Sequence, residues 1–425
     1  MEPVSREIRL RVCIHWGLAW LISAAPAPAR SFYLGSPGSD TGPGTSGSPW
    51  TSLVKANTSL SPGDTLLLKA GTYGASGVRW TCSGTEAKPI VIMAAPGARP
   101  VFNGMGKDWL MEIKASHLEF SGIEVTNYST WAFQIADGSD HVTLRACNLH
   151  HILAIDDAAV VTRNCDHITI EDCLFEEMGR SLEQTAFDHA LYNSEGGHDI
   201  VIRRNVFRNN YGGPAINHYH QPSPYNVSIY DNLFIMQKGA ERSGIYAGDG
   251  AHDINVYNNT FYLDAKGATK SYGVTLNSGA GTNAVMNNLF YTAAGDAQEA
   301  LGGPTGNAVD FNFYYPGKDG DDKGAGSISG DPMFVAVGTD FHLKPLSPAS
   351  NQAKPLTLYR DDIEGKTRPA SVWDMGAYQT GDGVGVCKSF PGTAILRHKA
   401  GTFAANGARR ELSSRLRVAC FGFRP

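Results

Sequence analysis

The chain has 425 residues, 36 Lys and Arg against 41 Asp and Glu, a net charge of -5 and only 18% charged residues. That balance excludes the basic face of a nucleic-acid binder. No run reaches the roughly 18 apolar residues of a membrane-spanning helix, and the 48 glycines suit a chain of short strands joined by tight turns.

Residues 1–29 read as a secretory signal peptide. Arg9 and Arg11 give the positive start, Val12 to Ala25 is largely apolar apart from His15, and Ala27-Pro28-Ala29 offers a small-x-small cleavage site. A secreted protein, extracellular or periplasmic, is therefore expected. Of seven cysteines, six lie beyond this segment, at irregular spacings and without Cys-x-x-Cys, so no zinc site is assigned.

Trp50, Leu53, Val54 and Leu60 predict the apolar face of a short helix that caps an open core. Pro62-Gly63-Asp64 turns the chain into a first strand, Thr65 to Lys69.

Repetition then dominates. HVTLRACNL (141–149), HITIEDCLF (167–175), DIVIRRNVF (199–207), NVSIYDNLF (226–234), DINVYNNTF (253–261) and TNAVMNNLF (282–290) share one pattern, with a weaker copy at 117–125. Each has alternating apolar residues, a polar break, Asn or Cys, then x-Phe or x-Leu. The key position falls at Cys147, Cys173, Asn205, Asn232, Asn259 and Asn288, at spacings of 26, 32, 27, 27 and 29. One coil of this length cannot bury its own apolar face, whereas coils stacked about 4.8 Å apart do. The missing Leu skeleton and helix period exclude leucine-rich repeats, and propeller blades are longer. The expectation is an all-β, single-stranded right-handed parallel β-helix over 30–380 with an N-terminal capping helix. Asn side chains would tie coil to coil, and Phe207, Phe234, Phe261 and Phe290 would stack inside. Cys147 and Cys173 are either stacked buried thiols or a disulfide.

Sites on such a solenoid lie where outward side chains of adjacent coils form rows. Counting back 13 residues from each Asn gives Tyr192, Tyr219 and Tyr246, a row able either to stack on sugar rings or merely to shield the sheet. The same coils carry Asp188, His189, Asn193, Glu195, Asn217, His218, His220, Arg242 and Asp249, and four of the 13 histidines fall in 189–220. His218 aligns with Leu191 and Ile245 and could instead be buried. The long spacing before Asn205 holds an insertion, 179–189, able to wall a groove. We read His189, Tyr192, His218, Tyr219, His220 and Arg242 as the catalytic set, and Asp188, Asn193, Asn217, Tyr246 and Asp249 as substrate-binding. From Lys388 on there are eight Lys or Arg and one acid, Glu411, so 381–425 reads as a poorly ordered basic tail.

Two flanking stretches carry a resemblance. Residues 32–73, with Gly38-Ser39-Asp40, Pro43-Gly44-Thr45, Pro49-Trp50, Pro62-Gly63-Asp64-Thr65 and Ala70-Gly71-Thr72-Tyr73, resemble the entry segment of pectate-lyase-like right-handed β-helix proteins. Asp362 to Tyr378, ending Asp374-Met375-Gly376-Ala377-Tyr378, resembles their closing segment. That superfamily holds lyases, hydrolases, epimerases and non-enzymes. The flanking resemblance is specific for fold rather than activity; the His/Tyr/Arg group resembles the metal-independent mode of some polysaccharide lyases, and the expectation is a monomeric lyase acting on an acidic, uronate-containing polymer. A lyase must neutralise the substrate carboxylate, remove the adjacent proton and protonate the leaving oxygen, tasks suited to an Arg/His/Tyr group. Some relatives neutralise with calcium, for which Asp156-Asp157 and Glu176-Glu177 are the acidic pairs. The alternatives are a glycoside hydrolase and a non-catalytic carbohydrate binder. AIDDAA (154–159) resembles the paired Asp of polygalacturonase-like hydrolases, but their Asn-Thr-Asp, Gly-His-Gly and Arg-Ile-Lys companions are missing, with only Gly197-His198-Asp199 as a partial echo.

Overall fold

The computed structural model describes residues 29–180, 187–238, 243–266, 271–277, 283–292, 298–302, 307–316, 324–357 and 360–381. The signal-like stretch before Ala29 and the basic tail after Gly381 lie outside them. Among the described residues, three parallel sheets of 11, 9 and 11 strands build a right-handed solenoid, and one antiparallel hairpin accompanies them. Successive strands visit the three sheets in rotation, as a single coil repeated demands.

Each sheet points alternate rows of side chains inward. In the first, Leu66, Ile92, Phe120, Leu144, Ile170, Ile202, Ile229, Val256 and Val285 are register partners. In the third, Phe175, Phe207, Phe234, Phe261 and Phe290 stack at centroid separations of 4.9, 4.8, 4.6 and 4.9 Å. Tyr314 continues the stack at 5.4 Å. Burying each such ring contributes about 1.5–3 kcal/mol.

The corner before the third sheet explains the repeat. Asp172, Arg204, Asp231, Asn258 and Asn287 all have positive φ, between 51° and 62°, a backbone region that Asn and Asp enter more readily than other non-glycine residues. The next residue is the ladder Asn or Cys. Asn232 Oδ1 accepts from the Asn205 backbone N–H and amide at 2.9 and 3.1 Å, and Asn259 and Asn288 repeat the pattern down to Asn312. Cys173 and Cys147 extend the line upward as free thiols, the Cys147 N–H pointing at the Cys173 sulfur at 3.4 Å. The disulfide alternative is overturned.

The capping helix is Leu53–Ser59, with Ser52 as N-cap accepting from the Lys55 N–H. Trp50, Leu53 and Leu60 are buried as expected, but Val54 is 60% exposed and Ala56 takes its place. At 3.6 residues per turn, position 54 lies about 100° from 53, whereas 56 returns to the same face. A further strand, Ser31–Leu34, precedes the expected first one and pairs with Thr65–Leu68. The closing segment packs Phe334, Phe341, Trp373 and Met375 on the outer face of the third sheet, against Leu233, Tyr262 and Leu289. Arg368, fully buried, pins it through an ion pair to Asp231 at 2.6 Å. Among the described residues, the apolar cluster of this segment includes no residue of the second sheet.

Candidate active site

Outward positions of the second sheet form rows along the solenoid. One runs Glu112, Gln134, Val161, Tyr192, Asn217, Tyr246 and Thr275. A second runs Ala136, Arg163, Ser194 and Tyr219. Trp109 and Trp131 stack at 4.5 Å upstream, and Trp131 packs on a small outer cluster of Ala158, Val161 and Tyr192.

This register corrects the tyrosine row. Asn217, not Tyr219, lies between Tyr192 and Tyr246, and Tyr219 is the partner of Ser194. The corner after Tyr219 is two residues longer than those of its neighbours: Ile216 is 11 residues from Val227, whereas Leu191 and Ile245 are each nine from Ile200 and Ile254. Counting back 13 from Asn232 therefore stops two residues short. Tyr219 still faces outward, 37% exposed, with ring centroids 6.3 Å from Tyr246 and 5.1 Å from His220.

Two site residues turn inward. Ile135, Thr162, Asn193, His218, Ala247 and Leu276 form one buried row. His218 pairs with Asn193 and Ala247 rather than aligning with Leu191 and Ile245. Its ring is fully buried, neither nitrogen has a hydrogen-bond partner among the described residues, and burial pushes its pKa down to about 3. Such a ring is a neutral core group that substrate cannot reach, which corrects its catalytic placement. Asn193 accepts from Thr162 Oγ1 and donates to the Gly197 carbonyl, so it is structural rather than substrate-binding.

Asp188 is also structural. It is fully buried and accepts from the Arg180 guanidinium at 2.8 and 2.9 Å, from the Arg180 N–H and from the Asp156 N–H. It thereby ties together the two ends of the insertion, whose residues 181–186 lie outside the described residues, as does Arg242. Asp249 is exposed at a corner, its carbonyl accepting from Gln221 and Ser223.

What converges on the outer face is His189, Tyr192, Asn217, Tyr219, His220 and Tyr246. His189 donates from Nδ1 to the Pro214 carbonyl at 2.9 Å and accepts at Nε2 from the Asn217 amide at 3.0 Å. That fixes a neutral tautomer and orients Asn217, whose Oδ1 is buried without a hydrogen-bond partner among the described residues. Tyr192 lies between two imidazoles, 5.5 Å from His189 and 6.0 Å from His220 by ring centroids. Its phenol is held well above its ordinary pKa, by burial first and by Asp157 next. It is a proton donor at neutral pH.

Arg163, Asp157 and Glu195 complete the cluster. Arg163 lies 3.4 Å from Glu195. Asp157 has a buried oxygen without a hydrogen bond among the described residues, and its pKa is pushed up to about 6 by desolvation, with Arg163 opposing and Glu195 reinforcing. Arg163 escaped the sequence reading because the 179–189 insertion separates it from its register partner Ser194 by 31 residues. Correcting the coil spacing for that insertion would have found it.

The acidic pairs do not fit calcium. Asp156 is bound to Arg180, Glu176 to Arg208 and Glu177 to the Tyr211 hydroxyl. They point to different partners instead of converging as a set of oxygen ligands, so no step is routed through that ion.

The family model described as Pel9A-like, right handed beta helix region matches residues 32–178, and the one described as right handed beta helix region matches residues 131–313. Among solved structures, pectate lyase Pel9A is similar at 15% identity and TM-score 0.53, covering 84% of this chain and 97% of that one. An alginate lyase from Paenibacillus sp. str. FPU-7 is similar at 16% identity and TM-score 0.55, covering 71% and 98%. A glycoside hydrolase is similar at 10% identity and TM-score 0.50, covering 67% and 96%. No curated protein sequence matches the chain. Identities this low carry the fold and no activity. What they support, with the entry and closing segments, is that this chain is a right-handed parallel β-helix, similar in fold to pectate lyase Pel9A.

Proposed function

We propose that the chain is a secreted, monomeric polysaccharide lyase that cleaves a uronate-containing polymer on the outer face of its second sheet. The observation that carries this is an imidazole and a neutral phenol, His220 and Tyr192, 6.0 Å apart by ring centroids beside the Arg163 guanidinium. Arg163, helped by the Asn217 amide, receives the substrate carboxylate and acidifies the adjacent C–H. The exposed His220 takes that proton; the C–H electron pair becomes the new C=C bond as the glycosidic C–O bond breaks. Tyr192 protonates the departing oxygen, and the imidazolium then returns a proton to the phenolate. His189, 2% exposed, is a positioning residue that holds Asn217. Trp109, Trp131, Tyr219 and Tyr246 supply rings for sugar stacking.

Incubation with pectate, alginate and other uronate polymers should yield unsaturated uronates, read by ultraviolet absorbance. His220→Ala and Tyr192→Phe should each lower turnover by about 100-fold or more with folding intact. A second reading has its own support: Asp157, with its raised pKa, and Glu195 flank Arg163 as an acid and a second carboxylate would in a glycosidase. New reducing ends without absorbance would establish that reading and refute the lyase. Binding without turnover would refute both.

A further inference from the structure

Each coil turns from the second sheet into the first through a residue of positive φ, and on successive coils these are His117, His141, His167, Asp199, Asn226 and Asp253. The residues before them align as well, Asp140, Asp166, His198, Tyr225 and His252 being consecutive register partners. A surface edge thus carries paired imidazoles and carboxylates over several rungs. The rings of His117, His141 and His167 stack at 4.7 and 4.5 Å. Neither the core nor the proposed reaction uses them.

At one point the edge has unfinished business. Asp140 Oδ1 stands 3.6 Å from His141 Nδ1 and 4.0 Å from His117 Nε2, both too long for hydrogen bonds. That oxygen is buried and has no hydrogen-bond partner among the described residues. A buried, unpartnered carboxylate oxygen is costly and calls for an explanation. The three ligand atoms lie within 4.8 Å of one another, the one such His/Cys/Asp/Glu set among the described residues. Tetrahedral ligands about 2.1 Å from an ion stand roughly 3.4 Å apart. Small side-chain rotations close the difference, and His141 is nearly half exposed.

We propose that His117 Nε2, Asp140 Oδ1 and His141 Nδ1 form a binding site for a divalent transition-metal ion of the Zn2+ class. Two imidazoles and one carboxylate select such an ion over the oxygen-seeking Ca2+ and Mg2+. Water completes the coordination. His141 is braced by its stacked neighbour His167, itself held by Asp166 at 2.6 Å. The ion would clasp two successive coils at their corner, a structural role separate from the second-sheet site.

The test uses the full chain, freed of metal by chelator and dialysis, and titrated calorimetrically with zinc chloride. A single equivalent should bind, and thermal unfolding should shift upward with zinc but not with calcium or magnesium. Asp140→Asn preserves shape and His141→Ala removes an exposed ring, so both should fold. Each should weaken zinc binding by more than about tenfold, the loss seen when even an outer partner of a metal ligand is removed. Zinc binding equally tight in both variants, or no zinc binding by the parent chain, overturns the proposal. Turnover of uronate polymer is scored separately on metal-free protein, so failure of the lyase reading and failure of this site remain distinguishable.

Discussion

Asp157→Asn isolates the strain stored at the second-sheet cluster. The Asp157 carboxyl is raised from 3.8 to about 6, mainly by desolvation. A shift of this size corresponds to about 3 kcal/mol between the two protonation states. Its sign follows from linkage. The folded state prefers the neutral acid, so the contribution is fully present below the unfolded pKa, falls as pH rises from 3.8 to about 6, and is absent above that. The amide does not titrate. Any fixed cost of burying it is the same at every pH. The stability of Asp157→Asn relative to the parent chain should therefore rise by about 3 kcal/mol between about pH 3.5 and about pH 7. Urea unfolding of both proteins at the two pH values measures this directly, with the slope m checked for constancy. Parallel curves, with a difference constant to within about 1 kcal/mol, would show that Asp157 is solvated and would dissolve the argument for a desolvated cluster around Arg163.

Four further outcomes follow from the same geometry. His218→Leu replaces a buried ring with two unpartnered nitrogens, so urea midpoints should show stability unchanged or raised, and turnover should persist; loss of turnover would restore His218 to the catalytic set. Asn259→Ala removes four ladder hydrogen bonds and should cost about 4 kcal/mol in chemical unfolding at roughly 1 kcal/mol per bond. Phe234→Ala opens the middle of the aromatic stack and should cost about 3–5 kcal/mol by the same assay. Asn217→Ala removes the amide that His189 orients and should raise KM more than it lowers kcat in steady-state kinetics, because it binds the carboxylate in ground and transition states alike.

The fold was legible because its stabilising contacts are nearest-neighbour contacts between repeats, and a repeat writes its own contact map. Asn205 bonds Asn232 because both occupy the same step of the same corner, and that step is visible as a 27-residue spacing. The site was only half legible for the same reason. Its residues sit on a different sheet from the ladder, across corners whose lengths vary, and a period measured at the ladder loses its phase there. Tyr192 and Tyr246 keep phase with Asn205 and Asn259 through equal corners; two extra residues after Tyr219 break it, and the insertion before His189 hides Arg163. His218 shows the other limit. Alternation, through its alignment with Leu191 and Ile245, left it open to burial, whereas the density of histidines argued for function. Where the two signals disagree, alternation is the stronger, because exposing a core row would reverse every side chain on that strand, while clustered histidines cost a sequence nothing. The rule predicts where the remaining chemistry of this solenoid lies: on outward rows of coils whose corner lengths depart from their neighbours, since those corners bend the wall without disturbing the core beneath it.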